Sequence, residues 1–142
     1  MNSIISLFLS FLLAGGGWGN NLEEALAEAN ATQKLVMLNF SGSDWCAPCI
    51  QLKKEIFGSE AFGQLAASRL VLVRADFPRM KKNQLPAAQL RYNEGLAEKY
   101  NPSGKFPLTL LLSADGTVLH TWEGYPKDLT PEKMIKAIQT HW

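Results

Sequence analysis

The chain has 142 residues, with 14 Lys and Arg against 13 Asp and Glu, a formal net charge of +1 and 46% hydrophobic residues. That length suits one domain around one core, and the composition lies close to the globular average, which excludes collagen-like, disordered and disulfide-scaffold chains. The near-zero charge argues against a nucleic-acid partner, which needs a clustered basic face, and no segment reaches the roughly 18 apolar residues that cross a bilayer.

Residues Ile4 to Ala14 form an apolar run broken only by Ser6 and Ser10. Such a run is too short to span a membrane and matches the central region of a secretory signal. Small residues follow in Ala14-Gly15-Gly16-Gly17, where cleavage is expected after Gly16 or Gly17, although Met1-Asn2-Ser3 carries no Lys or Arg. No cysteine follows the run directly, so the pattern is not that of a lipoprotein. The expectation is a signal peptide over residues 1–17 and an exported domain over 18–142, periplasmic or secreted. The alternative is a chain held at the membrane through residues 4–14.

Leu22, Ala25, Leu26 and Ala29 recur at helical spacing and predict a short amphipathic helix. Leu35 to Phe40 is a nearly continuous apolar run of strand length, as expected for a strand covered on both faces. Ser41-Gly42-Ser43-Asp44 breaks it. From Pro48 onward Leu52, Ile56 and Phe57 mark a second helix, interrupted at Gly58-Ser59 and resumed through Phe62, Leu65 and Ala66. Leu70 to Val73 is a second buried strand, ending near Asp76. Phe77 to Ala88 reads as a loop, with Pro86 opening a helix whose apolar side includes Leu90, Leu96, Ala97 and Tyr100. Asn101-Pro102-Ser103-Gly104 stops that helix. Leu108–Leu112 and Thr117–Glu123 are strands joined by the hairpin signal Ala114-Asp115-Gly116. Thr130 caps a last helix with Pro131 at its first position and Met134, Ile135 and Ile138 on its buried side. The order is therefore α-β-α-β-α-β-β-α, with Leu38, Phe40, Val71, Val73, Leu110 and Leu112 expected in the core.

Both cysteines of the chain lie in Trp45-Cys46-Ala47-Pro48-Cys49, between a buried strand and a helix. Cys46 falls at the helix N-terminus, where free backbone N–H groups and the helix dipole favour a thiolate. It is the expected attacking sulfur, with a pKa below the ordinary thiol value of about 8.5. Cys49, a turn further in, is expected to be deeper, to lack that help and to resolve the mixed disulfide. A purely structural bridge would close a tiny loop and restrain the unfolded chain little. A zinc site would need two further ligands, and His120 and His141, the only histidines, show no ligand spacing. No metal and no cofactor beyond the redox-active Cys46–Cys49 disulfide is expected.

At Phe40, at Trp45-Cys46-Ala47-Pro48-Cys49 and at Phe106-Pro107-Leu108-Thr109, the chain resembles the thioredoxin superfamily. The likeness is closest to exported bacterial thioredoxin-like proteins that carry Ser-Gly-Ser-Asp-Trp-Cys, here Ser41 to Cys46. The resemblance implies an α/β three-layer sandwich, a central four-stranded mixed sheet with helices on both faces. It also implies a cis Phe106–Pro107 bond whose loop faces Cys46 and leaves the Phe106 backbone open to a substrate segment. Trp45, Phe106 and Pro107 are then the substrate-binding residues, and Ala47, Pro48, Asn39 and Asp44 support the motif.

Departures from the family pattern carry information too. Ala47-Pro48 replaces the usual Gly-Pro, and Asn39 takes the place of a buried acid. Asn cannot accept a proton from Cys49 as a carboxylate could, which leaves Asp44 as a substitute or a solvated turn residue. The stretch from Phe77 to Asn93 is longer than in a minimal thioredoxin, and its Arg79, Lys81, Lys82 and Arg91 form either a solvated loop or a dock for an acidic partner. With no titratable group between the cysteines, only the helix stabilises the reduced form. The reading is a thiol–disulfide oxidoreductase, a reductase or isomerase rather than a strong oxidant. It would be monomeric, take protein thiols and disulfides as partners and draw on an unidentified electron donor. The alternatives are a non-catalytic binding module of the same fold, or a membrane-anchored component of a protein maturation system.

Overall fold

The computed structural model describes residues 17–142, so the expected signal over residues 1–17 lies almost wholly outside the described residues. The elements are β1 (Trp18–Gly19), α1 (Leu22–Thr32), β2 (Leu35–Ser41), α2 (Ala47–Leu52), a π-helical turn (Lys53–Phe57) and α3 (Glu60–Arg69). They continue with β3 (Leu70–Asp76), a 3-10 turn (Lys81–Asn83), α4 (Ala87–Tyr100), β4 (Leu108–Leu112), β5 (Val118–Glu123) and α5 (Pro131–Gln139).

The helix boundaries follow from local chemistry. The Asn21 side chain accepts the Glu24 N–H at the start of α1, Ser59 accepts that of Phe62 at α3, and Thr130 accepts that of Lys133 at α5. Gln33 ends α1 in the left-handed region, φ 57°, and passes its N–H to the Ala29 carbonyl. Between β4 and β5, Gly116 takes φ 87° and the Asp115 carboxylate accepts the Thr117 N–H and the Ser113 hydroxyl. Those donors hold the Asp115 pKa at about 2.

The sheet has five strands in the order β1-β3-β2-β4-β5. β2 and β3 are parallel and joined by the α2–α3 crossover, whereas β4 is antiparallel to β2 and to β5. The expected four strands are all present, and the fifth is the two-residue β1, which pairs Trp18 with Leu72 and Gly19 with Val73. Strand alternation divides the core between the two faces. Val36, Leu38, Phe40, Val73, Leu110 and Leu112 pack under α1 and α4. Met37, Leu72, Leu111 and Trp122 pack with Leu52, Ile56, Phe62, Met134 and Ile138 of the opposite helical layer. Val71 departs from expectation: it is only partly buried, packed against the α1–α4 side of the core.

Candidate active site

β2 ends at Ser41, and the chain turns through Gly42-Ser43-Asp44 into the helical segment that starts at Ala47. Cys46 caps that segment with an extended backbone, φ −96° and ψ 102°, and its sulfur accepts the Cys49 N–H at 3.3 Å. A disulfide joins Cys46 to Cys49, with Cα atoms 5.2 Å apart. The Cys49 sulfur accepts the Gly42 N–H at 3.5 Å. Both cysteines are buried, Cys49 only slightly deeper at 3% exposed against 5%, and Cys49 has a backbone donor of its own outside the helical segment. The asymmetry that remains is the source of the donor: helical amide for Cys46, preceding turn for Cys49. Ala47 and Pro48 are exposed beside the bridge.

Gly42 organises the turn. Its carbonyl accepts the N–H groups of Trp45 at 3.3 Å and Cys46 at 2.9 Å. A Cβ built on it would lie 2.3 Å from the Trp45 indole, so only glycine lets the ring lie across the turn. Trp45 Nε1 donates to the Phe77 carbonyl at 2.7 Å. Its ring meets Phe106 edge-on at 5.6 Å, and Phe106 meets Phe77 at 5.4 Å. The Phe106–Pro107 peptide is cis. The Trp45–Phe106 contact therefore brings that loop beside the cysteine turn, and the Pro107 carbonyl accepts the Gly124 N–H at 2.8 Å.

Two aspartates fasten the turn to its neighbours. Asp76, at the end of β3, accepts the N–H groups of Ser43 at 3.0 Å and Phe77 at 2.9 Å, and the Ser43 hydroxyl. Asp44 accepts the N–H groups of Arg79 and Met80, each at 2.9 Å, and the Asn83 amide at 3.1 Å. The Arg79 N–H foremost holds the Asp44 carboxyl below the ordinary carboxylate range. Asp44 is thus engaged with the 79–83 loop, and none of its hydrogen bonds goes to a cysteine.

Asn39 is buried, 2% exposed, and both polar atoms of its amide have a partner: Nδ2 donates to Thr109 Oγ1 at 3.1 Å, and Oδ1 accepts from Arg74 Nε at 3.2 Å. The three side chains form a row across the sheet, since Asn39 is in register with both Arg74 and Thr109. Arg74 lies 3.9 Å from the Trp18 ring centroid, and one of its terminal nitrogens is buried without a partner. Burial lowers its pKa to about 10, with nearby Asp76 pulling the other way. Sequence reasoning missed Gly42, Asp76, Arg74 and Thr109. Only the Ser-Gly-Ser turn beside a bulky Trp hinted at the first of them.

His120 and His141 come together with ring centroids 5.8 Å apart, and the His120 ring lies tilted against Trp122 at 4.2 Å. Burial and then the neighbouring His141 lower the His120 pKa. Among the described residues no group of three or more His, Cys, Asp or Glu is placed to hold a metal, and no helix is long and apolar enough to cross a membrane.

Residues 17–114 match the family model described as thioredoxin-like. The chain belongs to the thioredoxin-like family. It is 36% identical over 96 residues to the disulfide bond reductase DsbH of Chlamydia pneumoniae, a match covering 68% of this chain and 56% of that protein. The chain therefore spans little more than half the length of that relative. Among solved structures it is similar to a DsbH oxidoreductase, with a TM-score of 0.75 and 28% identity, covering 98% of this chain and 95% of the other. A thioredoxin from Thermus thermophilus shares the fold alone, with a TM-score of 0.63 at 19% identity over 87% of this chain and 84% of its own.

Proposed function

We propose that the chain is an exported thiol–disulfide oxidoreductase whose Cys46–Cys49 pair exchanges disulfides with protein substrates. It works as a reductase or isomerase, within a mature domain over residues 18–142. The observation that carries the reading is the placement of the pair: Cys46 caps a helical segment and accepts the Cys49 N–H at 3.3 Å. The disulfide bond reductase activity in the name of the DsbH relative supports it, as does the apolar run from Ile4 to Ala14 for export.

In the reduced protein the Cys46 thiolate, favoured by helical N–H groups, attacks one sulfur of a substrate disulfide. A Cys46–substrate bond forms, and the other substrate sulfur leaves as a thiolate that takes a proton from water. Cys49 then loses its proton, attacks the Cys46 sulfur and releases the second substrate thiolate, which is protonated in turn. Two electrons have passed from the dithiol to the substrate, and the protein is left with the Cys46–Cys49 disulfide. A dithiol donor must reduce that bond before the next turnover. Trp45, Phe106 and Pro107 flank the pair as the substrate-contacting surface, and Ala47 and Pro48 keep its outer side open.

Trapping tests the assignment. Cys49→Ser should accumulate a mixed disulfide through Cys46, while Cys46→Ser should trap little and lose turnover. Efficient trapping by Cys46→Ser would reverse the roles. Full function of a variant lacking both cysteines would instead favour a binding module. The reduction potential of the pair, set against that of the compartment, decides the direction.

A further inference from the structure

We infer that the Pro78–Gln84 segment is a preformed cationic wall of the substrate groove, which selects polypeptide disulfides flanked by acidic residues. The inference rests on the thiol–disulfide exchange proposed above and names the substrate class of that same site.

Its first support is rigidity. The segment is fastened directly to the cysteine turn, because Asp44, two residues before Cys46, accepts the Arg79 and Met80 N–H groups and the Asn83 amide. It is also tied to itself: the Gln84 amide donates to the carbonyls of Pro78 at 3.1 Å and Met80 at 3.3 Å, and a 3-10 turn covers Lys81–Asn83. The Arg79 guanidinium lies 3.7 Å from the Trp45 ring centroid, so the wall touches the residue adjoining the attacking cysteine. A loop that served only as a solvated connection would need none of these anchors.

The second support is charge without partners. Arg79, Lys81 and Lys82 are exposed, and none of them is in an ion pair. The ion pairs among the described residues are Lys105–Glu123 and Lys133–Asp128. The carboxylates nearest in the chain, Asp44 and Asp76, stay ionised but take their hydrogen bonds from backbone N–H groups, Asn83 and Ser43 rather than from these three cations. Three positive side chains are therefore presented to solvent on the loop that Asp44 and Trp45 hold to the cysteine turn, with Met80 among them, 44% exposed. That combination matches an acidic segment carrying an apolar side chain. Because the wall is already ordered, docking costs little conformational entropy, and opposite charge raises the encounter rate.

The experiment uses the reduced full-length chain and follows the rate of exchange with three disulfide probes. Two are peptides of one sequence in which the cysteine is flanked either by Asp and Glu or by Lys. The third is the neutral 2-hydroxyethyl disulfide. At low ionic strength the acidic peptide should react about tenfold faster than the basic one, and the ratio should shrink with added salt. Lys81→Glu with Lys82→Glu should abolish or invert the preference while leaving the rate with 2-hydroxyethyl disulfide unchanged. Equal rates for the two peptides in the wild-type chain, or a preference that survives the charge reversal, would overturn the inference. Failure to exchange with any of the probes would instead remove the reading on which it rests.

Discussion

The two faces of the central sheet are built on different principles. Under α1 and α4 the face is apolar from strand to strand, through Val36, Leu38, Phe40, Val73, Leu110 and Leu112. On the other face Met37 and Leu111 are apolar too, but two residues further along β2 towards the cysteines the row becomes Arg74, Asn39 and Thr109. Alternation along β2 permits this division, since Leu38 and Phe40 point one way and Asn39 the other. The difference teaches that the wholly apolar packing and the polar network are carried on opposite sides of the same strands. They can therefore be perturbed separately.

The largest effect should come from the apolar face. Phe40 is fully buried, and Phe40→Ala would remove its contacts and leave a cavity, with an expected loss of about 3–5 kcal/mol in denaturant unfolding. At a temperature where that variant is still folded, exchange with a neutral disulfide should proceed at close to the wild-type rate. If the exchange rate falls in step with stability, the two faces are not separable and the comparison fails.

On the polar face, Thr109→Val should cost about 1–3 kcal/mol, because the buried Asn39 Nδ2 would lose its side-chain acceptor. Thr109→Ser keeps the oxygen and should recover most of that loss, a rescue that simple repacking would not produce. Thermal unfolding of the pair of variants reads the result directly.

Asn39→Asp sharpens the comparison through pH. The new carboxylate would lie where Arg74 Nε now donates at 3.2 Å, so its folded pKa should fall below its unfolded one. The stabilisation would then be fully present above the unfolded carboxylate pKa of about 3.9 and lost as pH falls through the folded value. A stability difference from wild type that is constant near neutrality and shrinks in acid is the expected outcome. Turnover should show no new inflection near pH 7, because a carboxylate held ionised by a cation cannot cycle its proton there. A neutral-pH inflection would mean that Arg74 does not govern the site.

These particulars show what the sequence makes legible. Cys46 and Cys49, the break after β2 at Gly42–Asp44, one residue later than expected, and the cap at Thr130 are local signals, written within a few residues of where they act. The cis bond before Pro107 was likewise expected, through a resemblance carried by a short motif. The polar row was not, because Asn39 meets Thr109 across 70 residues of chain and Arg74 across 35. A residue's register partner is a property of the assembled sheet. β1 escaped notice for another reason: a two-residue strand has no period to detect. Gly42 lies between these cases, visible as a turn residue while its clearance from the Trp45 ring depends on the folded turn.

The smallest effect concerns the edge of the polar side, where Asp44 holds the basic loop to the cysteine turn. Its carboxyl is kept below the ordinary range by hydrogen bonds that favour the charged form, foremost the Arg79 N–H. The contribution is therefore complete above the unfolded carboxylate pKa and is lost as pH falls through the folded value. The anchor is at most half-buried and the loop adds little to either core, so global unfolding should barely register its loss. Local opening should register it clearly. In Asp44→Ala the amide protons of Arg79 and Met80, which now point at the carboxylate, should exchange with solvent faster at neutral pH, and cleavage by trypsin after Lys81 or Lys82 should accelerate. Wild-type protein should approach the same behaviour only in acid, as the carboxylate is protonated. Amides of β2 and β4 should keep their protection in both cases. If protection of the loop is unchanged in Asp44→Ala, the loop is held by Trp45, Phe77 and Gln84 alone, and Asp44 is incidental to the order of the wall.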